Sequence, residues 1–352
     1  MRGASIAAFW RFKIAGIRVI SPRHPNLNTL LLPTDSPENF ACAVAEAVRF
    51  LGAGEPVALP TETVYGLAAD ATRPEAVLKI FEAKERPFFD PLIVHLPDWE
   101  WLDRIAAVPE RDATLVGRLT ECFWPGPLTL VLPRQELVPD VVTSGLQTVA
   151  LRMSAHPVFR AVVSAFGRPL AAPSANRFGR ISPTASAHVM SELAGRIPLV
   201  VDGGPTTHGV ESTIIAVAGG RIEILRSGPV TREELAEFAE VTNPGVVTKP
   251  VAPGQLKSHY APRTPLRLVL SPHPIPGQRC GLLAWEKTHP GFDAVEVLSP
   301  SGDLREAAAR LFAAMRRLDE AGLDLIVAEP VPETGLGAAM MDRLNKAAHD
   351  FL

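Results

Sequence analysis

The chain has 352 residues, of which 47% are hydrophobic, 21% charged and 6% aromatic, with a net charge of −3. This composition supports a buried core, excludes an intrinsically disordered chain and accommodates two domains. The balanced charge gives no general polyanion-binding surface, the dispersed Cys42, Cys122 and Cys280 give neither a disulfide framework nor a zinc ribbon, and no apolar run reaches the ~20 residues of a membrane helix. A reducing, cytoplasmic setting and no membrane association are expected.

Residues 1–34 contain no acid and carry Arg2, Arg11, Lys13, Arg18 and Arg23; the apolar stretch from Ser5 to Trp10 is too short for a secretory signal. Residues 1–35 read as a disordered extension, with an organellar transit peptide or an over-long start as the other readings. Folding is expected to begin at Ser36-Pro37-Glu38, an N-cap, an N1 proline and an early acid, ahead of Phe40, Val44, Ala47, Val48 and Leu51 at helical spacing. The buried-strand pattern 56–60 then runs into the polar turn Thr61-Glu62-Thr63-Val64-Tyr65-Gly66. A helix over 74–84 ends at Lys84-Glu85-Arg86-Pro87. Strand-like segments follow at 91–95, 128–132, 148–152, 170–172, 199–201, 212–217 and 222–225, with helical patterns at 112–123, 156–166 and 232–240. This alternation predicts an α/β domain over 36–240. The breaker-rich stretch 241–264 reads as a linker. Residues 265–352 repeat the alternation (strands 266–270, 280–284, 294–298 and 323–328; helices from Leu304 to Leu318 and 338–348) and predict a smaller, Rossmann-like α/β domain.

The chain has no GxxxxGK[ST] loop, GxGxxG turn, HExxH or GxSxG elbow. Several polar strings instead sit at strand ends, where α/β proteins gather function. Thr61 and Thr63 read equally as turn hydroxyls. Lys84 and Arg86 complement a helix C-terminus unless Pro87 turns them into a cleft. Ser182 reads as the N-cap of the next helix, a position that also suits phosphate. Arg152 and Arg226 end strands, where a lone arginine is ordinarily a surface ion pair, yet together with Lys84, Arg86, Ser174 and Ser182 they make a triphosphate-sized set of donors.

Taken in order, PTETVYGL, KERP, PLIVH, WPGPLTL, TVALR, APSAN, ISPT, VDGG, ESTII and LRSGP, spanning Phe40 to Glu240, resemble the YrdC-like L-threonylcarbamoyladenylate synthases. His259-Tyr260-Ala261-Pro262 and the small domain behind it resemble the two-domain form. The resemblance implies a twisted α/β domain with an open cleft. It also implies the conversion of L-threonine, bicarbonate (or CO2) and ATP to L-threonylcarbamoyl-AMP and pyrophosphate, for N6-threonylcarbamoyladenosine formation in tRNA. By motif position, Thr63, His95, Arg152, the backbone at Ala172, and Ser212 would hold threonine. Arg86, Asp90, Thr148, Ser174, Ser182, Arg226 and Tyr260 would hold ATP, with Lys84 and Asn176 beside the phosphates and Lys84 and Arg86 in catalytic positions. Mg2+ would arrive with ATP, with no protein metal site. The implied partners are proteins that transfer the threonylcarbamoyl group, with at most a weak tRNA contact. Larger carbamoyl-adenylate-forming proteins carry the same domain, but this chain is short and lacks their zinc-finger-like cysteines. A double-stranded RNA or tRNA-binding module fits poorly with the net charge. One departure is Asp90-Pro91, where the family usually has Asn-Pro.

Overall fold

The computed structural model describes residues 27–242, 252–254 and 259–348. The reading of the leader therefore falls outside the described residues up to residue 26. In chain order the elements are β1 (Leu30–Pro33), α1 (Pro37–Gly52), β2 (Val57–Leu59), β3 (Gly66–Asp70), α2 (Pro74–Lys84), β4 (Ile93–His95), α3 (Glu100–Ile105), α4 (Glu110–Phe123), β5 (Leu128–Pro133), α5 (Asp140–Thr143), β6 (Thr148–Arg152), α6 (Pro157–Phe166) and β7 (Leu170–Ala171). They continue with α7 (Ser186–Leu193), β8 (Leu199–Asp202), β9 (Thr213–Ala218), β10 (Arg221–Arg226), α8 (Arg232–Ala236) and β11 (Val241–Thr242). The second domain holds β12 (Leu266–Leu268), β13 (Cys280–Ala284), β14 (Ala294–Val297), α9 (Leu304–Glu320), β15 (Leu325–Ala328) and α10 (Leu336–Ala348).

Eleven strands form one mixed sheet in the order β1-β8-β2-β3-β7-β4-β6-β5-β9-β10-β11. Its central strands β2, β3 and β4 are buried on both faces, and residue alternation decides which core each side chain joins. Val57 and Leu59 of β2 meet α1 and α6 through Ala47, Leu51, Phe159 and Val162, while Ala58 between them faces the opposite core with Ile80, Phe81 and Leu119. The Ser36 cap forms as expected, its hydroxyl accepting the Asn39 N–H at 3.1 Å.

Folded structure begins before Ser36, however. Leu30–Pro33, placed by the sequence in the 1–35 extension, pairs in parallel with β8, Leu30 opposite Leu199, and forms one edge of the sheet. β3 also escapes the sequence reading, because GLAAD is rich in small residues and becomes a strand only by pairing with β2 and β7. The 232–240 helix stops at Ala236, and Val241–Thr242, assigned to the linker, instead pairs with β10.

The second domain is a four-stranded parallel sheet in the order β12-β15-β13-β14, with Phe312 and Met315 of α9 and Met340 and Leu344 of α10 in its core. That same apolar cluster includes Val64, Ile181 and Val210 of the first domain, so the two domains share a packed seam. Gly209 (φ +69) lies on this seam, and a Cβ there would strike the Ala308 carbonyl of α9.

Candidate active site

The loops after β2 and β7 meet the ends of β4, β6 and β10 around one cleft. Arg152 ends β6 and is buried at the cleft floor. Its Nε donates to the Gly126 carbonyl (3.1 Å), one terminal nitrogen donates to Thr63 Oγ1 (3.0 Å), and the other pairs with Glu62 Oε1 (2.7 Å). Thr61, by contrast, spends its hydroxyl on the Val64 carbonyl and is a turn residue. Burial pushes the Glu62 carboxyl up, but the Arg152 guanidinium and the Ser154 hydroxyl outweigh it and hold the pKa at about 2. His95 ends β4 with its ring on Phe159 (4.5 Å), and its Nδ1 is buried without a partner among the described residues. Burial, reinforced by Arg152, lowers its pKa to about 3, so it is a neutral hydrogen-bonding group rather than a base.

Arg226 ends β10 and donates from Nε and one terminal nitrogen to the Ser212 carbonyl (3.1 and 2.9 Å), and from the latter to Ser212 Oγ (3.0 Å). Across the cleft, Glu85 ends α2 in the left-handed region (φ 54), which carries Arg86 out of the helix and into the cleft wall. Arg86 pairs with Asp90 (2.8 Å) and donates to the carbonyls of Asp90 and Pro91. Burial raises the Asp90 carboxyl, against the pull of Arg86.

Lys84 does not follow Arg86. Fully within the last turn of α2 and buried, it donates to the Ser174 and Asn176 carbonyls and braces the loop that presents Ser174 to the cleft. Asn176 closes that same loop, donating to the carbonyls of Arg177 and Arg180 at 2.8 Å each. Ser182 is not a helix cap. α7 starts at Ser186 behind Ala185, and the Ser182 hydroxyl donates to Glu211 Oε1. Thr148 sits at the start of β6, opposite Pro133, away from the cleft lining.

One side of the cleft is roofed by Pro253, Gly254, His259 and Tyr260, residues that read in the sequence as linker. Tyr260 (φ +65) is fully buried, its ring 4.1 Å from His259 and 5.7 Å from Phe312, and its hydroxyl has no partner among the described residues. Gly254 (φ +82) is required beneath it, since a Cβ there would lie 2.7 Å from that hydroxyl and 3.1 Å from Arg226 Cδ. Thr63, His95, Arg152, Ala172 and Ser212, the residues expected to hold threonine, thus share one cleft with Arg86, Ser174, Arg226 and Tyr260.

Residues 49–228 match the Sua5/YciO/YrdC family model, described as Telomere recombination. Residues 230–349 match the model described as Threonylcarbamoyl-AMP synthase, C-terminal domain. The chain is 41% identical to the threonylcarbamoyl-AMP synthase of Bacillus subtilis, covering 90% of this chain and 94% of that protein. It belongs to the threonylcarbamoyl-AMP synthase family. The Pyrococcus abyssi family member is 42% identical, over 86% of this chain and 93% of its own length. A crystal structure of P. abyssi Sua5 complexed with L-threonine superposes with a TM-score of 0.81 at 37% identity, covering 91% of this chain and 98% of that one.

Within this family architecture, the sequence reading missed Glu62, Glu211, His259 and Arg343. Glu62 and Glu211 stood inside the quoted strings, but which cation each carboxylate would face depends on strands distant in sequence. Arg343 had a local signal: Leu336, Met340, Arg343 and Ala347 share the buried stripe of α10, where an arginine needs a partner.

The buried Glu62 and His95 predict acid lability. Unfolded, the carboxyl and imidazole titrate near their ordinary 4.5 and 6.5; folded, they hold out to about 2 and about 3. The unfolded state therefore binds more protons, and stability present at neutral pH falls as pH drops from 6.5 toward 2, by about 3 kcal/mol from Glu62 alone. Urea unfolding at stepped pH should show this, and His95→Phe should flatten the segment between pH 6.5 and 4.5. An unchanged slope there in His95→Phe would contradict the assignment.

Proposed function

We infer that the chain is an L-threonylcarbamoyl-AMP synthase, condensing L-threonine, bicarbonate or CO2, and ATP with release of pyrophosphate. The convergence of the threonine set and of Arg86, Ser174, Arg226 and Tyr260 on one roofed cleft, in a chain matching the family over both domains, carries this reading. Arg152 receives the threonine carboxylate in bidentate fashion, and the Thr63 and Ser212 hydroxyls together with neutral His95 surround the rest of the amino acid. The amine captures CO2 in its neutral form. The resulting carbamate oxygen attacks the α-phosphorus in line and pyrophosphate leaves. Arg86, Arg226 and the Ser174 hydroxyl stabilise charge on the phosphoryl oxygens. Roofing by Tyr260 keeps water from the mixed anhydride.

The only acidic residue lining the cleft among the described residues is Glu211, already engaged by Arg343 and Ser182. This donor set fits nucleotide phosphates, and Mg2+ enters as their counter-ion rather than in a protein cage. Among the described residues no helix is long and apolar enough to cross a membrane. Unpaired Cys42, Cys122 and Cys280 accord with a cytoplasmic enzyme whose product passes to threonylcarbamoyl-transferring proteins acting on tRNA.

The deciding experiment is pyrophosphate release from the purified protein with Mg-ATP, omitting threonine and bicarbonate in turn. Release that requires both establishes the reaction; release without threonine would overturn it, and release that instead requires added carbamoyl phosphate would favour carbamoyl chemistry.

Asp90 supplies a sharper test. Its carboxylate neutralises Arg86 before a nucleotide does. Asp90→Asn should leave the KM for ATP unchanged or lower it. The ligand-free protein should melt at a lower temperature, because a buried guanidinium loses its counter-charge, and ATP should restore the melting point. A severalfold rise in KM for ATP would contradict this.

A further inference from the structure

Arg343 lies on α10, in the second domain, and is 0% exposed. Its Nε pairs with Glu211 Oε2 at 3.0 Å, and one terminal nitrogen reaches the Ser227 carbonyl (2.8 Å) and Asp342 (2.9 Å). The guanidinium also sits 5.4 Å from the centroid of the Tyr260 ring. One turn on, Lys346 donates to the Gly254 carbonyl at 2.7 Å. A single helix of the second domain thus grips a carboxylate on the cleft wall and both described pieces of its roof.

Glu211 faces a cleft built for phosphates, so its negative charge would repel the nucleotide unless a cation behind it cancels the field. Arg343 is placed to do this without entering the cleft. It also fixes the carboxylate that accepts the Ser182 hydroxyl.

We propose that Arg343 is a positioning residue for ATP, acting from the second domain by neutralising Glu211, so that the nucleotide site is complete only when α10 is docked. The proposal rests on the assignment of this cleft to ATP.

The test uses the full chain, with calorimetric titration of Mg-ATP and of L-threonine, steady-state kinetics and thermal melting. Arg343→Met should weaken Mg-ATP binding about tenfold or more and raise the KM for ATP, leaving threonine affinity within about twofold. Glu211→Gln combined with Arg343→Met removes both charges and should return ATP affinity to within about threefold of wild type, a coupling that an ordinary packing residue would not show. Equal weakening of both substrates, or a double variant still tenfold weak, would overturn the proposal. Should Arg343→Met fail to fold, the double variant decides by the same threefold and tenfold criteria. A wild-type protein that binds no Mg-ATP would defeat the functional reading itself, whereas wild-type binding matched by Arg343→Met defeats only this inference.

Discussion

Arg152→Met should lose threonine-dependent pyrophosphate release by about 10^3-fold, the equivalent of ~4 kcal/mol. Methionine keeps much of the buried volume but removes the interactions that Gly126, Thr63 and Glu62 make with the guanidinium. Two consequences separate. The threonine carboxylate loses its only bidentate partner in the proposed pose, which appears as a raised KM for threonine with ATP affinity retained. Glu62 is left as a buried carboxylate without its cation, which costs about 3–5 kcal/mol of stability. Adding Glu62→Gln to Arg152→Met should recover the melting temperature without recovering threonine use. If the double variant regained activity along with stability, Arg152 would be a structural residue and the threonine pocket would lie elsewhere.

What the sequence made legible followed from local rules. Ser36-Pro37 announces α1, and Pro74 to Lys84 bounds α2 residue for residue, because caps, prolines and apolar spacing act within a few residues. The ordered strings likewise brought nine of the proposed substrate residues to one cleft. What stayed hidden depends on the partner. β1 and β3 are strands because β8, β2 and β7 lie beside them. Lys84 and Arg86 stand two residues apart and diverge because the left-handed Glu85 reverses the chain between them, a conformation that Glu does not advertise. Ser182 looks like a cap in isolation, and only Glu211, twenty-nine residues on, takes its hydroxyl instead.

The same dependence on distant partners explains why the proline- and glycine-rich residues after β11 look like a linker in the sequence alone. Their described portions at 252–254 and 259–260 are held by Arg226, Lys346 and the apolar seam, and they form a wall of the cleft. Breakers there allow the left-handed turns at Gly254 and Tyr260 that bring backbone and ring close over the site.

Arg226 joins all three parts of that site, so Arg226→Met should damage the use of both substrates where Arg152→Met damages that of one. Its guanidinium holds the Ser212 carbonyl and hydroxyl on the threonine side and reaches the Pro253 carbonyl of the roof at 3.4 Å. The remaining wall it presents to the cleft is the cation proposed for the nucleotide. Losing it should raise the KM for threonine and for ATP together and lower kcat, about 10^2–10^3-fold in kcat/KM for each. Arg226→Lys should rescue little, because one ammonium on a flexible stem cannot span Ser212 and Pro253 as the planar fork does. Steady-state kinetics with each substrate varied in turn decides the matter. A variant in which only the KM for ATP rises would mean that Ser212 keeps its place without Arg226, and that the two substrate pockets are built independently.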